Sequence, residues 1–232
     1  MRAILVVIFA FICFESKGQK WSAGLDFGYG SYNMNSLRQK EASFEGSVIP
    51  YKQVQNFPAT PFVRGYTHVK IQKIFSTGIM LGYLRTGSRS AYSDYSGSAY
   101  RDFVVNGIQV ASSNLFQVYS MDKYLINARL NVGAVFNSTD FTQSISLNGG
   151  SYNEERYAKF TSLNPYFSFG ADITRTFGRF ALALFAEYEL NGLGNMKLKS
   201  SNFSTTPLSD FDVDWSGARV GLSCSFQFAK EP

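Results

Sequence analysis

Segments of alternating polar and apolar residues recur along this chain, and the connections between them are alternately very short and long. A period of two is typical of a β-strand with two different faces. The short turns are predicted at residues 75–77, 122–123 and 177–178, and the long polar connections at 34–57, 93–113, 138–162 and 191–212. In an up-and-down meander, this alternation places every tight turn at one end and all four long loops at the other.

Five strands are clearly patterned, within residues 21–33, 125–137, 167–174, 181–190 and 219–228. In the second of these, Ile126, Leu130 and Phe136 share one face, opposite Asn127 and Arg129. Three weaker strands, at 62–73, 78–92 and 114–121, are accepted because the turn pattern requires them. An even number of strands puts both termini at the turn end. The sequence therefore predicts an all-β fold, an eight-stranded antiparallel up-and-down barrel.

The N-terminus predicts a signal peptide. Met1 and Arg2 precede an apolar run at 3–14, and polar residues follow at 15–18. The run is shorter than the roughly 18 residues of a spanning helix. We predict a signal peptide at 1–18 and one barrel domain at 19–232. Its removal leaves Cys224 as the single cysteine and lowers the net charge from +5 to +4. This weak, scattered basic excess argues against a nucleic-acid partner.

Alternation does not by itself show which face lines the barrel interior. A soluble calycin-like barrel that binds an apolar ligand is therefore an alternative. Three features favour a transmembrane barrel: the polar face is rich in glycine, the apolar face of the five clear strands has no charge across its middle, and aromatic residues gather at the strand ends. The aromatic residues are Trp21, Tyr124, Phe180, Phe226 and Phe228 at the turn end, and Tyr29, Tyr83, Phe136, Phe167 and Tyr188 at the loop end.

Residues 220–228, Val-Gly-Leu-Ser-Cys-Ser-Phe-Gln-Phe, have apolar side chains at alternate positions and end in an aromatic residue. This strand, the signal peptide and the meander resemble the small outer-membrane barrels typified by the OmpA transmembrane domain and the PorT-like barrels. The resemblance implies location in the outer membrane, insertion by the barrel assembly machinery and, for the PorT-like version, partners in the envelope or a secretion apparatus. One departure is that residues 229–232 follow the final Phe228.

Charged residues occur on the face predicted to line the lumen. Counting from the turn ends predicts three sets at equal height: Asp26 with His68 and Lys70, Arg129 with Asp172, and Glu187 with Arg219. An unpaired charge in a narrow lumen costs several kcal/mol by desolvation, roughly 2–7 kcal/mol even for a neutral polar group. We therefore expect ion pairs and a lumen filled by side chains. A polar core that passes protons or ions is the alternative.

Enzyme chemistry has few candidate residues in this sequence. With one histidine and one cysteine after the predicted cleavage, neither a His and Cys zinc site nor a Cys–His nucleophilic pair is indicated, and no cofactor motif is present. A barrel that modifies lipid A would resemble the known acyltransferase and deacylase barrels, which need a histidine with serine and an acidic partner at the lipid-facing outer rim. The parity of His68 predicts that it faces the lumen instead.

The long connections are the predicted place for function. Residues 86–97 combine Ser, Gly, Tyr and Arg, a mixture that suits adaptable recognition. Arg85 and Arg89 are candidates for contacts with lipopolysaccharide phosphates, and a plain hydrophilic hairpin is the alternative. The sequence thus predicts a non-enzymatic outer-membrane protein that contacts membrane lipid and lipopolysaccharide and serves envelope structure, assembly or surface binding through its four loops.

Overall fold

A computed structural model describes residues 20–43, 51–147, 152–192, 194–203 and 211–228 of the chain. The predicted signal peptide at 1–18 lies outside the described residues, as do parts of three long connections and residues 229–232. The described elements follow in chain order: β1 Lys20–Gly30, α1 Asn35–Ser43, β2 Lys52–Asn56, β3 Thr60–Gln72, β4 Phe75–Asp94, β5 Gly97–Met121, β6 Tyr124–Leu147, β7 Tyr152–Phe177, β8 Phe180–Asn191, β9 Lys197–Ser201 and β10 Gly217–Gln227.

Eight of these strands close into a ring of antiparallel pairs. The order around the barrel is β1-β3-β4-β5-β6-β7-β8-β10, and β10 pairs with β1 to complete the circle. Leu25 lies opposite Cys224 in that closing ladder, and the amide of Phe228 donates to the carbonyl of Trp21. The predicted eight-stranded up-and-down barrel is confirmed.

The short turns all lie at one end of the ring. They are formed by residues 73–74, 122–123 and 178–179. Asp122 and Gly178 adopt positive φ angles of 48° and 65°, as tight hairpin turns require. The predicted first turn, at 75–77, is two residues too late, because Phe75, Ser76 and Thr77 are already paired with β3 and β5.

Two of the predicted long loops are instead regular strands. The hairpin of β4 and β5 continues to Asp94 and Gly97, and that of β6 and β7 continues to Leu147 and Tyr152. Backbone pairing persists there although the apolar residues no longer follow the pattern of the barrel strands. Above the ring, β2 joins β4 and β9 joins β7. The result is a six-stranded outer sheet with the order β2-β4-β5-β6-β7-β9.

The inner side of this outer sheet carries an apolar core. Helix α1 and residues 211–216 cover the sheet from within the ring. We call the following buried residues the outer core: Tyr32, Met34, Leu37, Phe57, Phe103, Val105, Phe141, Phe160, Phe211, Val213 and Trp215. Most of its members are large, so the chain beyond the barrel strands is a packed extension of the barrel.

Candidate functional site

The outward face of the barrel is a continuous apolar belt. Large side chains that a water-soluble protein would bury are exposed on every barrel strand, for example Leu184 at 61% and Leu222 at 63%. Exposed apolar area of this extent marks contact with lipid or a partner. Because it surrounds the whole ring, the belt fits the hydrocarbon of a bilayer. Among the described residues, no helix has the length and apolarity needed to cross a membrane.

The apolar side of single strands changes at the outer edge of the belt. In β6, Phe136 points outward and is 52% exposed, whereas Phe141, on the opposite face, is 1% exposed. Beyond the belt, outward positions of β6 become polar, as at Ser138 and Asp140. The strand thus passes from lipid outside to a protein core inside, and the inversion marks the outer boundary of the bilayer.

Aromatic side chains border the belt at both ends. Nine of the ten residues predicted for the two girdles are exposed, and Phe226 is half-buried between Phe180 and Phe228. Tyr and Trp at these heights combine an apolar ring with a polar tip that reaches headgroups. The belt with its girdles, together with short turns at one end and long hairpins at the other, places this barrel in the outer membrane.

Buried charged residues occur in the described part of the lumen, and six of them, which we call the charge layer, join in ion pairs: Asp26, Arg64, Arg129, Glu187, Glu189 and Arg219. Three ion pairs join them. Arg129 Nη2 lies 2.5 Å from Asp26 Oδ2, Arg64 Nη2 lies 2.5 Å from Glu187 Oε1, and Arg219 Nη1 lies 2.7 Å from Glu189 Oε2. Equal numbers of cations and carboxylates therefore meet where water is scarce, which offsets much of the desolvation cost.

Asp26 does not pair as the sequence predicted. In the β1–β3 ladder it lies opposite Arg64, while His68 lies opposite Ser22 and Lys70 opposite Lys20. Its carboxylate instead reaches Arg129 on β6, which is not a neighbouring strand. The prediction considered only adjacent strands, but an arginine side chain is long enough to cross a narrow lumen.

The other two predicted pairs also differ from the structure. Arg129 lies opposite Gly170, and Asp172 accepts hydrogen bonds from Asn127 Nδ2 at 2.8 Å and Thr174 Oγ1 at 2.7 Å. Glu187 and Arg219 do lie opposite each other in the β8–β10 ladder. Their ion pairs, however, are with Arg64 and Glu189, so equal height on adjacent strands did not determine the partner.

His68 is buried in the lumen, and its Nε2 lies 3.0 Å from Ser113 Oγ. Its ring packs against Tyr66 at a centroid distance of 4.8 Å. A lipid A-modifying site needs its histidine at the lipid-facing rim, which is not the position of His68. Within the described ranges, no group of three His, Cys, Asp or Glu residues is arranged to hold a metal ion.

Above the charge layer lies the outer core. Trp215 is fully buried, its Nε1 donates to Asn137 Oδ1 at 2.7 Å, and its ring meets Tyr32 edge-on at 4.8 Å. Gly107 permits this approach, because a Cβ there would lie 3.1 Å from the indole. The Arg219 guanidinium lies 5.7 Å from the Tyr32 ring and links the charge layer to this aromatic cover.

Helix α1 is fixed inside the outer sheet by polar contacts at both ends. Arg38 donates from Nε to the carbonyl of Asn33 and from its two Nη atoms to the carbonyls of Asn56 and Phe57, at 3.0–3.1 Å. Glu41 accepts a 2.6 Å hydrogen bond from Ser90 Oγ on β4. The helix therefore belongs to the packed structure.

Arg85 and Arg89 both point outward from β4, above the belt residue Tyr83. Arg89 donates from Nε and Nη2 to the two carboxylate oxygens of Asp102, at 2.6 and 2.5 Å. These hydrogen bonds raise the pKa of Arg89 and balance its charge. Arg85 lies closer to the belt, and its carbonyl accepts a hydrogen bond from the Thr60 hydroxyl. The two predicted phosphate contacts thus lie in different surroundings.

Sequence reasoning missed several residues that build the lumen. Arg64 and Glu189 lie on the face that the sequence predicts to line the lumen, but the predicted charge pairs left them out. Gln109, whose Nε2 donates to Glu189 and whose Oε1 accepts from Arg219, lies within a segment taken for a loop. The sequence also contains a signal for helix α1. Met34, Leu37 and Glu41, which are all buried, recur at the spacing of one helix face.

Comparisons with known proteins find neither a matching family model nor a matching curated protein. Several solved structures are similar. The attachment invasion locus protein Ail of Yersinia pestis aligns with 15% identity over 90% of this chain and 98% of its own, with a TM-score of 0.41. Neisserial surface protein A aligns with 12% identity over 91% of this chain and 100% of its own, also with a TM-score of 0.41. The likenesses are too distant to transfer a function, so the proposals below rest on this chain's own geometry.

Proposed function

We propose that this protein is a non-enzymatic outer-membrane barrel that acts through its outer sheet, by binding at the cell surface or by supporting the envelope. The observation that carries the proposal is the outer core. A packed core holds the β4–β5 and β6–β7 hairpins well above the belt as a fixed surface, whereas a mere membrane anchor would need no such extension.

The exposed side of this surface is suited to recognition. Tyr95 at the tip of the β4–β5 hairpin is fully exposed, and Tyr100 on β5 and Tyr157 on β7 project from the outer face of the sheet. Tyrosine supplies a large contact area at a low cost in conformational entropy. A pull-down from native outer membranes with tagged protein tests for a partner: capture that is lost in Tyr95→Ser/Tyr157→Ser supports the proposal, and capture that is unchanged contradicts it.

Lipopolysaccharide is the proposed lipid contact, through Arg85. Because Asp102 already balances Arg89, Arg85 is the better placed of the two to meet a phosphate at the edge of the belt. Native mass spectrometry measures lipopolysaccharide retained by the purified protein. We expect Arg85→Gln to reduce retention, with Lys199→Gln in the outer sheet as the matched control. Equal retention by the two variants would contradict the contact.

The proposal also requires a closed lumen. Among the described residues, the charge layer and the outer core lie in series between the two ends of the barrel, which supports a lumen filled by side chains. Recordings in planar bilayers are therefore expected to show no stable, large conductance. A persistent open state would overturn this part of the proposal and revive the ion-passing alternative.

The two other functions have less support in the geometry. A calycin-like binder would carry its apolar face inside, and here the belt is outside while charges occupy the lumen. Recovery in the carbonate-washed outer membrane, with heat-modifiable gel migration, separates a barrel of this kind from a soluble one. Lipid A modification predicts that His68→Ala changes acylation, and we expect the lipid A mass spectrum to be unchanged.

The resemblance to OmpA-like and PorT-like barrels extends the proposal to partners. We infer that the barrel assembly machinery recognises β10, the strand that closes the ring, and that envelope or secretion-apparatus proteins are the first candidates in a pull-down. Crosslinking during insertion tests the former, with Phe228→Ala expected to slow the appearance of the heat-modifiable form.

A further inference from the structure

The lipid-facing side of β3, β4 and β5 carries polar side chains, and we call four of them the polar patch: Thr67, Thr77, Ser112 and Asn114. Thr77 lies opposite Asn114 in the β4–β5 ladder. Ile79, which is exposed on the outer side of β4, lies opposite both Thr67 and Ser112. Residues that are directly opposite, or two apart on one strand, point to the same side of a sheet, so the whole patch faces outward.

The polar patch lies at the depth of the hydrocarbon. Thr77 is six residues along β4 from the girdle residue Tyr83, which is about 15 Å along the membrane normal at the usual rise and tilt. The apolar band of such barrels is about 25 Å tall. Toward the turns, Phe75 and Phe116 pack together next to the patch, with ring centroids 4.9 Å apart. Apolar residues therefore border the patch on both sides.

The rest of the ring differs from this side. On β1, β6, β7, β8 and β10, the outward positions between the girdles carry aliphatic or aromatic side chains, with the thiol of Cys224 as the exception. Lipid surrounds the whole barrel, so contact with lipid alone would favour the same apolar surface on every strand. Polar residues inside a membrane are costly and usually meet a protein partner. Their restriction to β3–β5 marks this side as a contact surface.

Hydrogen bonds within the polar patch satisfy part of its capacity. Thr77 Oγ1 donates to Asn114 Oδ1 at 2.7 Å. Asn114 Nδ2 donates over longer distances, 3.4 Å to Ser112 Oγ and 3.3 Å to the carbonyl of Leu130. Ser112 is exposed, and its hydroxyl has a proton to donate as well as lone pairs to accept. Lipid tails offer neither donors nor acceptors, so a protein surface that supplies both would be favoured.

The surface beside the polar patch has a shallow dip. Gly65 on β3 lies between Leu25 on β1 and Leu81 on β4, and both leucines are exposed. A Cβ added at Gly65 would lie 3.6 Å from Leu25 Cδ2, an ordinary van der Waals contact, so the space over this residue is open. Small residues at such positions let membrane proteins approach each other closely.

We propose that this side forms a homodimer within the outer membrane, with the polar patch of one copy against that of a second copy. The membrane fixes the orientation and depth of each barrel, so a two-fold axis along the membrane normal brings the same patch to the same height. Hydroxyl and amide groups both donate and accept, which makes the patch complementary to itself. The contact lies in the hydrocarbon, away from the outer sheet, and goes beyond the proposed surface function.

Sedimentation equilibrium of the full protein in a density-matched non-ionic detergent measures the dimer. The informative variant is Thr77→Val/Asn114→Leu. The matched control is Asn106→Leu, which replaces an asparagine of β5 that bonds to the girdle residue Tyr83. We expect the dissociation constant to rise at least about tenfold in the first variant, since each change occurs in both copies, and to stay constant in the second. Heat-modifiable migration verifies that each variant folds. Equal dissociation constants in the two variants, or unaltered protein that is monomeric throughout, would overturn the proposal.

Crosslinking in native outer membranes with a short, apolar bis-maleimide tests the second copy as the occupant. Ser112→Cys/Cys224→Ser places a thiol in the polar patch, and Leu184→Cys/Cys224→Ser places one on β8, four strands from β4 in the ring. We expect a product of twice the mass of the chain from the first variant and not from the second. A crosslink through position 184 alone, or from position 112 to a different protein, would contradict the homodimer.

Discussion

Arg219 lies opposite Glu187 in the β8–β10 ladder, yet its Nη1 lies 2.7 Å from Glu189 Oε2 and 3.2 Å from Gln109 Oε1. Gln109 completes a triangle by donating from Nε2 to Glu189 at 2.8 Å. Both charged side chains are fully buried. Removing one member therefore leaves an uncompensated charge in the lumen.

Neutralising Glu189 should be costly. We expect Glu189→Gln to lower the free energy of unfolding by about 3–5 kcal/mol, the range for breaking a buried pair. Urea unfolding of the refolded barrel, followed by heat-modifiable gel migration, measures this change. The control is Glu154→Gln, which removes a solvent-exposed pair with Arg156 and should cost much less stability. Similar losses in both variants would show that burial does not strengthen the pair.

Replacing both partners separates the charge from the packing. Arg219→Met/Glu189→Gln removes the isolated cation along with its carboxylate, and apolar replacement of a buried pair is often close to neutral. We expect the double variant to be more stable than Glu189→Gln alone. If it is less stable, the Arg219 side chain acts mainly by packing against Phe62 and Tyr32.

The alternation of side chains along each strand was enough to predict which of them enter the lumen, but not how they pair. Asp26, Asp172 and Glu187 all face inward as expected. Height along a strand, however, restricts pairing only between neighbours, and the stagger of a closed barrel brings together side chains from strands that do not touch. The ion pair of Asp26 with Arg129 could therefore be recognised only from the geometry of the closed barrel.

The outer sheet escaped prediction for a different reason. The inward face of β6 carries Arg129 beside the belt and Phe141 beyond it, where the outward positions are polar, as at Asp140. At that point the apolar residues change from the outward to the inward face of the strand. The alternation is interrupted there, so the segment resembles an irregular polar loop in the sequence. The backbone hydrogen bonds between the strands nevertheless continue, and the pattern of polar and apolar residues does not reveal them.

Cys224 offers a test of the belt. It is an exposed free thiol on β10, level with Leu25 of β1. Embedded in lipid, it should resist a membrane-impermeant maleimide in intact outer membranes and react with an apolar one. A Tyr95→Cys/Cys224→Ser variant serves as the control, because its thiol at the fully exposed hairpin tip should be labelled on whole cells. Ready labelling of Cys224 by the impermeant reagent is the result that the belt forbids.

Trp215 tests the outer core. Its truncation to Ala removes a fully buried indole that contacts Tyr32 and bonds to Asn137, and large aromatic deletions cost about 3–5 kcal/mol. Because the barrel strands lie elsewhere, we expect Trp215→Ala to insert normally but to expose the β4–β5 and β6–β7 hairpins to protease on intact cells. Leu222→Ala, which alters a lipid-facing side chain, should leave protease resistance unchanged. Equal resistance of the hairpins in both variants would mean that the outer core does not hold them.

The tip of the β4–β5 hairpin should depend on pH through Asp94. Its carboxylate accepts hydrogen bonds from the Ser96 hydroxyl, the Tyr92 hydroxyl and the amides of Ser96 and Gly97. These bonds, led by the Ser96 hydroxyl, lower the pKa of Asp94 below its ordinary value of 3.8. A lowered pKa contributes stability above the unfolded value, and that contribution is lost as pH falls through the folded pKa. We therefore expect an ordered tip at neutral pH and a looser one in acid.

Side-chain carboxyl NMR should report a pKa below 3.8 for Asp94. In Asp94→Asn, the amide resonances of Ser96 and Gly97 should lose most of their shift over the same acid range. An Asp94 that titrates at or above its ordinary value would show that these bonds do not hold the turn.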